Sequence, residues 1–243
     1  VFLLGVLITI GAFMWAYNTV KVPKPSEFAL AQSSTVYYAD GTSELGKFAE
    51  INRQSVDAST LPDYVGNSVV ASEDRSFYSN KGVDPKGIAR ALFNNLRGGD
   101  TQGASTLTQQ YVKNAVVGDE RSYTRKLKEL VFSAKMANEW SKEEVLSAYL
   151  NTIYFGRNSY GVAAAAKAYF NKPLEELTPA ESAVLAASIQ RPSQLDPWNN
   201  REEAEQRWNY VLDGMVSTGS ISQQERATMT YPEVQDPALN TAY

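Results

Sequence analysis

The chain contains no cysteine and no histidine. The first absence excludes disulfides and thiolate metal sites. The second excludes histidine-ligated haem, any imidazole acid or base, and a serine or cysteine nucleophile activated by histidine. Catalysis by such a chain has to run on carboxylates, lysine, arginine, hydroxyls or a metal held by oxygen. A Walker-type phosphate loop and a Gly-x-Gly-x-x-Gly run are also missing, so nucleotide binding has little support. The net charge of −4 argues against a general nucleic-acid binder, which is usually basic. What is present is ordinary for a globular protein: 243 residues, 43% hydrophobic and 21% charged. That length suits one sizeable domain with a small appendage and a real core.

The one long apolar run is at the start. Val1 to Val20 carries no charge, and its polar side chains are Thr9, Asn18 and Thr19. Twenty helical residues rise about 30 Å, the thickness of a hydrocarbon core. Trp15 and Tyr17 stand near the end of the run, where amphipathic aromatics favour the membrane interface. Lys21, Pro23, Lys24 and Pro25 then stop the helix. A signal-peptide core is shorter and ends in small residues before a cleavage site, and no such site stands between Phe13 and Pro25. Residues 1–22 therefore read as an uncleaved transmembrane anchor. The chain opens on Val1 inside this run, so a cytoplasmic segment is expected upstream.

Beyond the anchor, residues 23–60 read as a membrane-proximal linker with a β-hairpin. Thr35 to Tyr38 and Leu45 to Phe48 flank the turn signal Asp40-Gly41. From Leu61 the pattern is helical. Val65, Val69 and Val70 share a face leading to Glu73 and Phe77, and Asp84-Pro85 reads as N-cap and first-turn proline. Ser105 is placed to cap a helix carrying Leu107, Tyr111 and Val112. Ser122 opens a long helix with Leu127, Leu130, Val131, Ala134 and Ala137 at three- and four-residue spacing. Ser141 with Glu144, and Thr178 with Glu181 behind Pro179, are capping boxes. Further helices are predicted from about Asn200 to Val216 and after Ser222. Residues 231–243 have two prolines and no clear period, and read as a linker.

Charge is uneven along these helices. Between Lys86 and Lys142 ten basic residues meet five acids, a local +5 in an acidic protein. Such a window suits a compact anionic ligand such as a phosphate or pyrophosphate. It equally suits a solvated helix face with i,i+4 pairs, Arg125 to Glu129 among them. Gly98-Gly99 and Gly103 bracket a polar loop that is either a lid or a simple connection.

Five stretches together decide between these readings. Glu73-Asp74-Arg75-Ser76-Phe77 continuing to Gly82, Gly103-Ala104-Ser105-Thr106-Leu107-Thr108-Gln109-Gln110, Arg125-Lys126-Leu127-Lys128-Glu129, Val145-Leu146-Ser147-Ala148-Tyr149-Leu150-Asn151, and Arg191-Pro192 followed by Pro197 resemble, in order, the five motifs of the peptidoglycan glycosyltransferases, glycosyltransferase family 51. They span roughly half the chain. One departure stands out: Asn80 occupies a position where the family often has histidine.

The resemblance implies a mainly α protein. Its lysozyme-like helical glycosyltransferase domain would span residues 61–230, with a small jaw lobe at about 86–104 whose Ala91, Leu92 and Phe93 dip into lipid. It implies a single-pass protein of the bacterial cytoplasmic membrane with its catalytic domain on the extracytoplasmic face. The implied reaction polymerises lipid II onto a growing lipid-linked strand, with β-1,4 linkage and inversion at the anomeric carbon. Lipid II, the glycan strand, the membrane and other cell-wall synthesis proteins are the expected partners, with no nucleic acid.

By the same resemblance Glu73 is the general base, and Glu129 is a second acid that positions cations or an oxygen-bound metal. Lys113, Arg121 and Lys128 match positions that contact pyrophosphate, and Arg125 fits the same need. Ser105, Thr106, Gln109, Gln110 and Asp74 complete the expected substrate-binding set. A magnesium or manganese ion shared with the diphosphate is compatible with these oxygen donors; no organic cofactor is expected. Tyr149, Asn151 and Arg191 read as braces behind the cleft. Two rivals stay open: a membrane-anchored lysozyme or lytic transglycosylase, which would leave the basic window unexplained, and a non-catalytic envelope scaffold, which would need neither Glu73 nor Glu129. No Ser-x-x-Lys or Lys-Thr-Gly occurs, so no transpeptidase nucleophile motif is present. The proline-bearing tail leaves room for such a domain to follow.

Overall fold

The structure, a computed structural model, describes residues 11, 14–15, 17–22, 33–37, 44–49, 56–82, 84, 105–117 and 123–239. The expected jaw lobe at 86–104, Arg121 and most of the apolar run lie outside the described residues. No helix among the described residues is long and apolar enough to cross a membrane. The described chain is mainly helical and divides into two units, one of residues 1–23 and 76–145, the other of residues 24–75 and 146–243.

The second unit is built on three helices: α1 (Asp63–Glu73), α6 (Pro179–Ser188) and α7 (Arg201–Ser217). α6 is the central one. Its residues from Glu181 to Ser188 are all buried, so it has no polar face to offer water. It starts at the predicted capping box, with Thr178 accepting from the Glu181 amide and the Glu181 carboxylate accepting from the Thr178 amide. α1 packs on it through Val65, Val69 and Val70, and meets α4 (Lys142–Thr152) where Gly66 lets Leu146 approach. α1 stops at Glu73. Phe77 therefore lies beyond the predicted helix, fully buried in the following turn, which belongs to the first unit.

The β-hairpin forms as predicted, β1 (Ser33–Tyr37) pairing antiparallel with β2 (Glu44–Ala49) and bulging at Val36/Tyr37. Asn151 on α4 clasps the chain after it, accepting from the Val56 amide at 2.8 Å and donating to the Val56 carbonyl at 2.6 Å. A second hairpin, β3 (Tyr154–Gly156) and β4 (Ser159–Tyr160), turns through Arg157 and Asn158, both at positive φ as a two-residue primed turn requires. It leads into α5 (Val162–Phe170), which ends in a left-handed Asn171. α8 (Gln223–Thr228) follows α7 behind the Ser222–Glu225 capping box. Residues 231–235, within the segment expected to be a linker, are tied to the helices. Tyr231 packs edge-on against Trp208, with ring centroids 5.3 Å apart, and Gln235 hydrogen-bonds carbonyls of Lys167, Ala168 and Tyr169.

In the first unit, α2 (Leu107–Val112) is capped by Thr106, not Ser105: only Thr106 has an amide-bearing Gln109 at the third helical position, and both halves of the box are made. The helix then widens into a π turn over Lys113–Val117. α3 (Tyr123–Glu139) buries a face that shares Val131 with the predicted apolar stripe but is otherwise shifted from it. Glu129, Ser133, Met136 and Trp140 are buried with Val131, whereas Leu130, Ala134 and Ala137 are only half-buried. Polar residues hold this face because each is paired: Ser133 donates to the Glu129 carbonyl at 2.6 Å, and Glu129 is ion-paired. The end of the apolar N-terminal segment rests on the same helix. Lys135 donates to the carbonyls of Tyr17, at 3.1 Å, and Val20, and Asn138 donates to the Tyr17 hydroxyl at 2.7 Å.

The turn after Phe77 is locked at Gly82. Its φ is +78°, and a Cβ there would sit 2.5 Å from the Ser133 carbonyl oxygen and 2.7 Å from the Ala137 Cβ. Gly82→Ala is expected to cost about 2 kcal/mol, lowering Tm by about 4–8 °C in a thermal melt.

Candidate active site

Glu73 is the last residue of α1, where the helix has run out of amide partners for its carbonyls. Its side chain is 11% exposed. The Ser72 hydroxyl donates to Oε1 at 2.9 Å, and the Arg207 guanidinium of α7 stands 3.5 Å from the same oxygen. Glu73 therefore sits among polar groups at its carboxylate, with apolar packing only behind it along α1. Asp74 follows at once and is buried. Below both lies Tyr149 of α4, fully enclosed. Burial first, and then the charges of Glu73 and Asp74, push its phenol well above the ordinary tyrosine range. Tyr149 is therefore a neutral hydroxyl at any working pH.

Among the described acids of the first unit Glu129 is the most deeply placed, its side chain 2% exposed. Arg125 lies 3.4 Å away one turn earlier, and Lys126 bonds the other carboxylate oxygen. A buried carboxylate is tolerated when compensated in this way. The geometry thus joins Glu129 to Arg125, as the spacing suggested, and to Lys126, which the motif comparison had not singled out. Lys128 and Lys113 present their side chains to solvent. Lys113 stands where α2 passes into the π turn, and its amide is shared between the Gln109 and Gln110 carbonyls. Such widened turns recur at functional sites.

The hydroxyl and amide candidates separate. Thr106 and Gln109 are buried and bonded to each other, and the Thr106 hydroxyl donates to the Gly82 carbonyl at 2.7 Å. Ser105 and Gln110 are half-buried. Asn80, at the position where histidine was expected, orders its own turn: it accepts from the Gly82 amide at 3.1 Å, and its carbonyl accepts from Lys142 Nζ at 2.8 Å. Arg121 lies outside the described residues. Among the described residues no group of three or more carboxylates could hold a metal ion. Among the described residues, Glu129 is already held by two cations, Arg125 and Lys126.

Residues 41–216 match the protein family described as Transglycosylase, nearly three-quarters of the chain. The chain belongs to the transglycosylase family. The matched stretch runs from the first hairpin almost to the end of α7 and contains Glu73, Glu129, Lys113, Arg125 and Lys128. Relatives include the penicillin-binding protein 1A of Mycobacterium tuberculosis, 52% identical over 98% of this chain, and that of Mycolicibacterium smegmatis, 52% identical over 96%. The penicillin-binding protein 1A of Neisseria flavescens is 41% identical over 79% of the chain. The chain spans 30% of the length of the two mycobacterial relatives. A crystal structure of penicillin-binding protein 1A from Haemophilus influenzae aligns with 84% of this chain and 21% of that one, at 25% identity and a TM-score of 0.45.

Two residues that contact Glu73 and Glu129, Arg207 and Lys126, are not among the expected site residues. Arg207 lies in a helix crowded with charge, Arg201, Glu202, Glu203 and Glu205 among it, and nothing local distinguishes it. Lys126 is interleaved between two cations that the motif does single out.

Proposed function

We propose that the chain is a peptidoglycan glycosyltransferase that polymerises lipid II into β-1,4-linked glycan strands at the outer face of a bacterial cytoplasmic membrane. The observation that carries this reading is Glu73: an oriented, hydrogen-bonded carboxylate at a helix end, in a transglycosylase without histidine. The acceptor's 4-hydroxyl oxygen attacks the anomeric carbon of the lipid-linked donor, and its proton passes to Glu73. The bond from the anomeric carbon to the diphosphate breaks, and its electron pair leaves with undecaprenyl pyrophosphate. A single displacement inverts the anomeric centre. The departing charge is met by cations, for which Lys113, Arg121, Arg125 and Lys128 are the proposed groups, with Glu129 holding Arg125 in place. Ser105, Gln110 and Asp74 supply contacts to sugar or phosphate oxygens, and Thr106 and Gln109 shape the loop that presents them. A divalent ion would be held mainly by the diphosphate's own oxygens, and no step is routed through it. The apolar N-terminal segment is the proposed anchor.

Incubating the protein with labelled lipid II and resolving the products on a gel tests the reading. A ladder of glycan lengths supports polymerisation. Cutting of intact glycan with lipid II untouched would favour the lysozyme-like alternative, and no reaction with either would favour a scaffold. Lys128 is exposed, so its loss should act on chemistry and not on folding. Lys128→Ala is expected to lower kcat/KM about 10²-fold with Tm unchanged, and Lys128→Arg to retain most activity.

A further inference from the structure

Two carboxylates at the C-terminal end of a helix sit where the backbone dipoles already concentrate negative potential. Glu73 and Asp74 are in that position at the end of α1. The counter-charge comes from α7. Arg207 donates through NH2 to the Ser72 carbonyl, one of the unpaired carbonyls of the last turn, at 3.2 Å, and to the Ser72 hydroxyl at 3.2 Å. It also stands 3.5 Å from Glu73 Oε1. The guanidinium lies against the ring of Tyr210, one turn along α7, at 4.4 Å, and its side chain is 18% exposed. Arg75 flanks the same ring at 4.6 Å and is tied to the Ala71 and Tyr210 carbonyls. Gly214 leaves room for it, since a Cβ there would fall 2.9 Å from the guanidinium.

The Ser72 hydroxyl has one proton and two acceptors, Glu73 Oε1 at 2.9 Å and the Ala186 carbonyl at 3.1 Å. While Arg207 donates to its oxygen, that proton points to one or the other. We infer that Arg207 and Ser72 form a positioning pair for Glu73: the hydroxyl donates to the carboxylate while it is charged and turns to the Ala186 carbonyl once Glu73 holds a proton, and Arg207 keeps both groups in register. The inference rests on the reading of Glu73 as the base. Among the described residues of its unit, the charged and titratable groups placed around Glu73 are Asp74 and Arg75 on its own strand of chain, Arg207 and Tyr210 on α7, and Tyr149 on α4. α6 contributes only the Ala186 carbonyl. Of these, Arg207 sets its guanidinium 3.5 Å from the carboxylate.

Arg207→Met, Arg207→Lys, Ser72→Ala and Glu73→Gln, each in the full chain, are assayed with labelled lipid II across pH. Loss of the cation disfavours the charged carboxylate, so the acidic limb of the Arg207→Met kcat/KM profile is expected at higher pH than the parent's. Its kcat should fall about 10–100-fold with KM within threefold. Arg207→Lys keeps the charge but loses the planar guanidinium that lies against the Tyr210 ring; it restores the limb and recovers only part of kcat. Ser72→Ala is expected to lose about tenfold in kcat. A merely structural role would lower the folded fraction in a thermal melt and leave the limb where it was. An Arg207→Met profile that coincides with the parent's, with Glu73→Gln inactive, overturns the positioning pair alone. An active Glu73→Gln overturns the base assignment beneath it.

Discussion

Glu73→Gln is expected to reduce kcat/KM for lipid II polymerisation by about 10³-fold, within the range that a positioned general base contributes. Glutamine has the same shape, and its amide oxygen still accepts the Ser72 hydroxyl that bonds Oε1 at 2.9 Å in the parent. What it cannot do is take up the acceptor's proton, and with histidine absent no imidazole can stand in. The loss should fall on kcat and kcat/KM alike, because the proton moves only as the new bond forms. Stability should change little. The contact with Arg207 at 3.5 Å is a partly exposed pair worth under about 1 kcal/mol, so Tm is expected to stay within about 2 °C. A kcat/KM within tenfold of the parent's would remove Glu73 from the chemistry. Asp74→Asn, run beside it, separates the neighbours: Asp74 is the C-cap of α1 and buried, so its replacement should show in the melt as well as in the rate.

The parts of this fold that the sequence discloses are the ones set by neighbours three or four residues apart. The predicted boxes Ser141–Glu144 and Thr178–Glu181 both form, because each uses one hydroxyl and one carboxylate within a single turn. The start of α2 is missed by one residue although its signal is present: Thr106, with Gln109 three residues on, satisfies the box, whereas Ser105 is followed at that spacing by Thr108. Helix α3 misleads for a different reason. A hydrophobic-periodicity reading assigns the buried face to Leu127, Leu130, Val131, Ala134 and Ala137; Val131 is buried as expected, but the reading cannot foresee that Glu129 goes inside once Arg125 and Lys126 neutralise it. Phe77 is buried as its type demands, but on a turn, since nothing in the sequence near Asp74 announces the end of α1. Arg207 and Glu73 are too far apart in sequence for any window to join them. The residues of the base motif are thus legible one by one, and their supports are not.

The largest stability effect is expected at Arg157, which holds the β3–β4 turn to Asp196 and to the C-terminal segment. Both side chains are almost fully enclosed, Arg157 at 2% and Asp196 at 8% exposure. The guanidinium forks onto the carboxylate, Nε to Oδ2 at 2.8 Å and NH2 to Oδ1 at 2.9 Å. NH1 donates to the Ala168 carbonyl at 3.1 Å and the Gln235 carbonyl at 2.8 Å, and the plane lies 4.2 Å from the Tyr169 ring centre. Arg157→Met leaves Asp196 charged and buried, with the Trp198 amide at 2.9 Å as a remaining donor. The expected cost is about 3–5 kcal/mol, or roughly 10 °C in Tm. Arg157→Met combined with Asp196→Asn should lose less than Arg157→Met alone, because no unpaired charge remains inside. Arg157 also holds φ at +50°, an arrangement glycine adopts without strain. If relief of that strain outweighed the ion pair, Arg157→Gly would melt above the parent; the buried fork predicts that it melts well below. Hydrogen exchange should show where the cost falls, with the amide of Gln235, bonded to the Tyr169 carbonyl at 2.8 Å, exchanging faster in Arg157→Met. Polymerisation per folded molecule should remain within about threefold of the parent's, since no step of the proposed chemistry passes through Arg157.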